Sequence, residues 1–217
     1  MRTIRITGTG SALPGRIVTN KELEQMVETS DEWIRERTGI AERHVSVGET
    51  VVTLASEAAR KALEQAGKTA EEIDLILVAS CSPEQYLPCC ACQVQAAIGA
   101  VNALAFDVNA ACSGFLFALN TADAYLRTGL AENALVIGSE VLSKLVDWTD
   151  RGSCILFGDG AGAVVVERCR TESRAVEYSN ALPTAEEKRI PAAGILGRAL
   201  HSDGTGGGVL QCGAREL

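Results

Sequence analysis

The run Asp107-Val108-Asn109-Ala110-Ala111-Cys112-Ser113-Gly114-Phe115 places a cysteine where a buried apolar strand gives way, through a tight turn of small residues, to an amphipathic helix. A thiol at a helix mouth faces free amides and the positive end of the dipole, both of which favour a thiolate over a thiol. The small neighbours leave room for an acyl group, and the amides can hold a developing oxyanion. Composition alone favours an ordinary buried cysteine, since Cys112 is one of eight. Position favours a nucleophile, because a strand-turn-helix site lifts one side chain clear of the sheet edge.

A second thiol feature is Cys89-Cys90-Ala91-Cys92, whose Cys-x-x-Cys spacing follows a strand and opens a helix, as in a redox pair or part of a metal site. A closed zinc site needs four ligands, and no second Cys-x-x-Cys or histidine pair accompanies it. His44 and His201 are the two histidines of the chain, few for acid-base chemistry near neutral pH. Gly8-x-Gly10-x-x-Leu13 lacks the third glycine of a dinucleotide fingerprint, and Pro14 stands where a helix should open.

The elements that must position these residues alternate. Ile4 to Thr7 reads as a strand, ending in a loop at Gly8-Thr9-Gly10-Ser11. Asn20 caps a short helix through Met26, Ser30 caps a second, and Gly39 ends that one. From Thr50, Val51, Leu54, Ala55, Ala58, Ala62 and Ala66 follow the helical period up to Gly67, and this mostly alanine face permits close approach to a flat sheet. Strand 75–79, helix 90–98, strand 103–108, helix 113–128, and strands 134–138 and 163–166 follow. Such alternation predicts a layered α/β fold with one mixed, mostly parallel sheet. Residues 1–169 form the main domain, 170–193 a polar linker or exposed excursion, and 194–217 a short glycine-rich piece.

With 217 residues, 47% of them apolar and 22% charged, the chain is long enough for one large core or two small ones. Twenty Lys and Arg against 28 Asp and Glu give a net charge of −8, the wrong sign for a nucleic-acid binder. No window approaches the roughly 18 apolar residues of a membrane span, and the N-terminus lacks a signal-peptide block. A cytoplasmic chain with reduced thiols is the expectation.

Three motifs together carry a family resemblance: Thr29-Ser30-Asp31-Glu32-Trp33-Ile34 with Arg37-Thr38-Gly39-Ile40, then 107–114, then Phe157-Gly158-Asp159-Gly160-Ala161-Gly162-Ala163. They resemble β-ketoacyl-acyl-carrier-protein synthase III over most of residues 1–169, and the resemblance resumes at 194–197 and 201–204. It implies a thiolase-like fold, a homodimer and condensation in two half-reactions. Cys112 takes a short acyl group from acyl-CoA, and malonyl-acyl carrier protein then decarboxylates and attacks the acyl-enzyme. Coenzyme A enters as a thioester substrate, and no metal or other cofactor is implied.

By the same resemblance, Trp33 stacks on the CoA adenine with Arg151 on its other side, and Thr29, Arg37 and Gly152 line the nucleotide and pantetheine path. Aromatic and guanidinium planes suit that task. Leu142, Leu156 and Phe157 match positions that shape the acyl pocket. The family's second-step histidine and asparagine, and a glycine amide of its oxyanion hole, come from a part of the sequence beyond these motifs, while His44 and His201 match non-catalytic positions. A single thiolase half is expected to leave apolar surface open. Two other readings compete: a thiol redox or metal-binding protein using Cys89 and Cys92, and a non-catalytic thiolase-like partner subunit.

Overall fold

The computed structural model describes residues 3–169, 194–195, 197–206 and 211–212. In chain order the elements are β1 (Thr3–Ala12), β2 (Arg16–Thr19), α1 (Asn20–Leu23), α2 (Asp31–Thr38), β3 (Glu42–Val45), α3 (Val51–Ala66), β4 (Leu75–Ala79), α4 (Cys90–Ile98), β5 (Leu104–Val108), α5 (Gly114–Thr128), β6 (Asn133–Val141) and β7 (Asp159–Cys169). One five-stranded sheet has the order β1-β7-β6-β4-β5, and β2 pairs with β3 in a separate ribbon. β4 is parallel to β5 and β6, whereas β7 is antiparallel to both β6 and β1, so β7 alone is reversed. This is the mixed, mostly parallel sheet that the alternation predicts.

The two-residue period of a strand decides what each face buries. Ile76 and Val78 join Ala58, Ala62 and Val94 under α3 and α4, while Leu75 and Leu77 join Ala118, Ala122 and Leu126 under α5. Helices of the same chain pack on both faces of the sheet. Large apolar residues remain exposed, among them Leu87, Leu104 on β5 and Leu116 on α5, as a single half is expected to leave. Among the described residues, no helix is long and apolar enough to cross a membrane.

Helix ends follow their capping chemistry. Ser30 Oγ accepts from Trp33 N at 3.1 Å to start α2, and Gly39 ends it in the left-handed region at φ 73°. Thr50 and Gly67 do the same for α3. The first helix differs from expectation: Thr19, not Asn20, is its cap, in a capping box with Glu22, and it stops at Leu23 rather than Met26. Asn20 is buried and tertiary. It donates to Asp31 Oδ1 and the Ile40 carbonyl, both at 2.8 Å, and accepts from Arg43.

The loop expected from Gly8 is strand instead. β1 runs on through Ala12 with a register irregularity between Ile6 and Gly8. Gly8 and Gly10 are not turn residues here; they are where α3 rests on the strand. β6 and β7 also extend beyond the apolar runs, through Ser139-Glu140-Val141 and from Asp159-Gly160 onward. The linker at 170–193 lies outside the described residues. After it, Ile195 packs against the α5 side of the sheet, and Arg198 reaches Asn120 Oδ1 and Asp123 Oδ2 on α5, both at 2.5 Å.

Candidate active site

β5 ends at Val108, and a 3-10 turn at Ala111–Ser113 precedes α5. Cys112 occupies the middle of that turn, so it stands just ahead of the helix rather than in its first residue. Ala111 holds φ 46°, a left-handed conformation that costs a non-glycine residue about 1 kcal/mol or more. The strained turn presents the Cys112 side chain as exposed, and no side chain caps α5. By contrast, α4 has its first amides filled: Cys90 N and Ala91 N donate to the two oxygens of Asp107 at 2.8 and 2.7 Å.

A cavity of about 170 Å³ opens beside Cys112 at the ends of the parallel strands, where open α/β sheets place their ligands. Ala79 of β4, Gly138 and Glu140 of β6, and Gly160 of β7 form its walls, with Ala111 and Phe115 beside the cysteine. The walls are small, and a Cβ on Gly138 would meet Phe115 at 3.6 Å. Leu142, Leu156 and Phe157 are not among the residues lining it. Leu142 lies in the 3-10 turn after β6, and Leu156 and Phe157 lead into β7, with Leu156 exposed.

The expected nucleotide residues form a second cluster. The Arg151 and Arg37 guanidinium carbons lie 4.2 and 4.4 Å from the centre of the Trp33 ring. Arg151 also donates to the Glu28 carbonyl at 3.1 Å, next to Thr29, whose buried Oγ1 has no hydrogen-bond partner. Gly152 N donates to Asp150 Oδ1 at 2.9 Å in the adjoining turn. Thr29, Trp33, Arg37, Arg151 and Gly152 therefore converge from α2 and the stretch after β6. Arg151 is in direct contact with the indole, so a base stacked between them must displace it.

Cys89 is the N-cap of α4, and Cys92 lies in its first turn. A hydrogen bond with Cys89 first, and burial second, hold the Cys92 thiol above its ordinary value, and Cys92 Sγ donates to the Ala105 carbonyl at 3.6 Å. Burial pushes Cys90 up to about 12, helped by the Asp107 charge that occupies the α4 N-terminus. Among the described residues, no group of three or more His, Cys, Asp and Glu is placed to hold a metal ion. His44 Nδ1 donates to the Pro14 carbonyl at 2.7 Å, a structural task, and His201 is exposed.

Glu140 was not singled out by its sequence context. It is one polar residue in an alternating strand, and its partners lie some sixty positions earlier.

Residues 106–181 match the family profile of 3-oxoacyl-acyl-carrier-protein synthase III. The β-ketoacyl-acyl-carrier-protein synthase III of Clostridium acetobutylicum is 49% identical over 217 residues, which is 100% of this chain and 60% of that protein. The enzyme of the same name from Erythrobacter litoralis is 52% identical over 200 residues, covering 92% of this chain and 57% of its own. The crystal structure of 3-oxoacyl-acyl-carrier-protein synthase III from Aquifex aeolicus superposes with a TM-score of 0.76 at 51% identity, over 77% of this chain and 55% of that one. The chain thus spans about 60% of the length of the curated relatives it matches. A thiolase-like sheet, a cysteine lifted on a strained turn at its edge, and this degree of identity along the whole sequence match the chain to the β-ketoacyl-acyl-carrier-protein synthase III family, over about 60% of the length of its members.

Proposed function

We propose that Cys112 is an acyl acceptor in a transferase of fatty acid synthesis initiation. The Cys112 sulfur attacks the carbonyl carbon of a short acyl-CoA, the C–S bond to coenzyme A breaks, and the CoA thiolate leaves. One thioester replaces another, at little thermodynamic cost. The observation that carries this reading is the exposed thiol on the Ala111–Ser113 turn, ahead of an uncapped helix and beside a cavity walled by small residues. The second half-reaction belongs to the whole protein: malonyl-acyl carrier protein loses carbon dioxide, its carbanion attacks the acyl-enzyme, and 3-oxoacyl-carrier protein leaves with the Cys112 thiolate regenerated. Its support is the family resemblance.

Coenzyme A is the substrate carrier in this reading, and no resident cofactor or metal is required. Two arginines over one tryptophan, in a chain of net charge −8, form a local site for the CoA phosphates and adenine. Trp33→Ala is expected to weaken CoA binding about tenfold, the scale of one base-aromatic stack. Arg151→Ala, at an exposed residue, should do so to a lesser degree. Calorimetric titration with CoA reads both, and unchanged affinity in Trp33→Ala removes that residue from the site.

A homodimer fits the open edge of β5, which among the described residues pairs only with β4 and leaves Leu104 exposed. Eight free cysteines suit a reducing cytoplasm. The direct test of function is incubation with acetyl-labelled CoA: stable label on the chain supports the acyl-acceptor reading, and an unlabelled chain refutes it.

A further inference from the structure

The Cys112 cavity has one charged wall. Glu140 Oε1 accepts from Cys81 N at 2.8 Å, and Oε2 accepts from Ser80 Oγ at 3.2 Å and, in a shorter contact, from Ser82 Oγ. Ser82 Oγ in turn accepts from Val141 N at 2.9 Å, and Ser80 Oγ accepts from Ser82 N at 3.2 Å. Ser80 N also donates to the Val108 carbonyl at 3.3 Å. This network joins the ends of β4, β5 and β6, the strands that surround the nucleophile turn, through a single half-buried carboxylate.

A carboxylate has two acceptor oxygens and no donor, so it alone among side chains of this size suits three converging donors. The hydrogen bonds of Glu140 reach two hydroxyls and a backbone amide, from Ser80, Ser82 and Cys81. Such a group is costly to bury and is retained where shape matters. The same carboxylate faces the Cys81 thiol. Burial first, then the Glu140 charge, push that thiol up to about 12.

We propose that Glu140 is a positioning residue for acyl transfer: by clamping the Ser80–Cys81–Ser82 turn onto the end of β6 it fixes the wall against which an acyl group on Cys112 is seated. The inference rests on the acyl-acceptor reading of Cys112. It assigns Glu140 no bond-making step. Its effect is on the alignment of the incoming thioester, and modest misplacement of a reacting group is enough to slow a reaction strongly.

The test compares the parent chain with Glu140→Gln and Glu140→Asp in three measurements: the acetylation rate of Cys112 from acetyl-CoA, its alkylation by iodoacetamide, and the thermal midpoint. Gln keeps the volume and loses one acceptor oxygen, and Asp keeps both oxygens on a shorter arm. Glu140→Gln is expected to acetylate about tenfold more slowly at saturating acetyl-CoA, with its half-saturating concentration unchanged, while alkylation stays within about twofold. Glu140→Asp should recover part of the loss. Acetylation of Glu140→Gln at the parental rate overturns the proposal, and so does a parallel fall in acetylation, alkylation and midpoint, which marks a merely structural residue. A parent chain that takes no acetyl group refutes the acyl-acceptor reading and this inference with it; a labelled parent beside an equally labelled Glu140→Gln refutes the role of Glu140 alone.

Discussion

Replacing Cys112 by alanine is expected to abolish acetyl transfer from acetyl-CoA to the chain, and Cys112→Ser to slow it by about a thousandfold or more. Serine has the shape of cysteine but is far less ionised near neutral pH, and His44 is engaged with the Pro14 carbonyl. Because Cys112 is exposed, neither variant should change the unfolding free energy read from urea by more than about 0.5 kcal/mol. Loss of transfer with stability retained isolates the chemistry from the fold. Serine labelling at the parental rate would remove Cys112 from the reaction.

Gly10→Ala is expected to cost about 3 kcal/mol of folding stability or to prevent folding altogether. A Cβ at that position would stand 2.1 Å from the Ala58 carbonyl oxygen and 2.5 Å from Ala62 N, both backbone atoms of α3. Backbone cannot rotate away as a side chain can, so relief requires the whole helix to lift from β1 and β7. At Gly8 the equivalent distances are 2.2 Å to the Ala62 carbonyl oxygen and 2.7 Å to Ala66 N. Lifting α3 would open the contact of Ala58 and Ala62 with the sheet, and the core has no loose volume to absorb it. Gly162→Ala is the control. It lies in the same sheet on β7 and its Cβ would meet nothing within 4 Å, so its unfolding free energy should stay within about 0.5 kcal/mol of the parent. Urea unfolding of the two variants decides the matter: equal midpoints would mean that α3 does not rest on the strand as described.

These two residues also show what a sequence can and cannot carry. Cys112 was legible because its signal is local: a strand, a turn of small residues and an amphipathic helix within one short span. Gly10 was misread for the opposite reason. Glycine is a turn former by local propensity, but here the absence of a side chain serves a contact with a helix some fifty positions away. The alanine face of α3 hinted at close approach, and the strand that receives it could not be named without the register of β1 against β7.

The site divides in the same way. Trp33, Arg37 and Arg151 were reached through motif resemblance, and their meeting over one indole is a product of folding that brings α2 to the stretch after β6. The cavity walls were largely missed. Ala79, Gly138 and Gly160 are the kind of residue that fills any strand end, and only sheet order places them around one thiol. Glu140 carried no local sign at all, since its meaning lies in Ser80 and Ser82 across the sheet.

The central claim is that Cys112 is the acyl-accepting thiol. Its most direct test is peptide mapping by mass spectrometry after incubation of the 217-residue chain with acetyl-CoA. The expected result is one acetyl thioester, released by neutral hydroxylamine, on the peptide that holds Cys112, with the buried thiols of Cys90 and Cys154 unmodified. An acetyl group spread over several cysteines, or none on Cys112, would contradict the account and leave the chain as a non-catalytic thiolase-like partner.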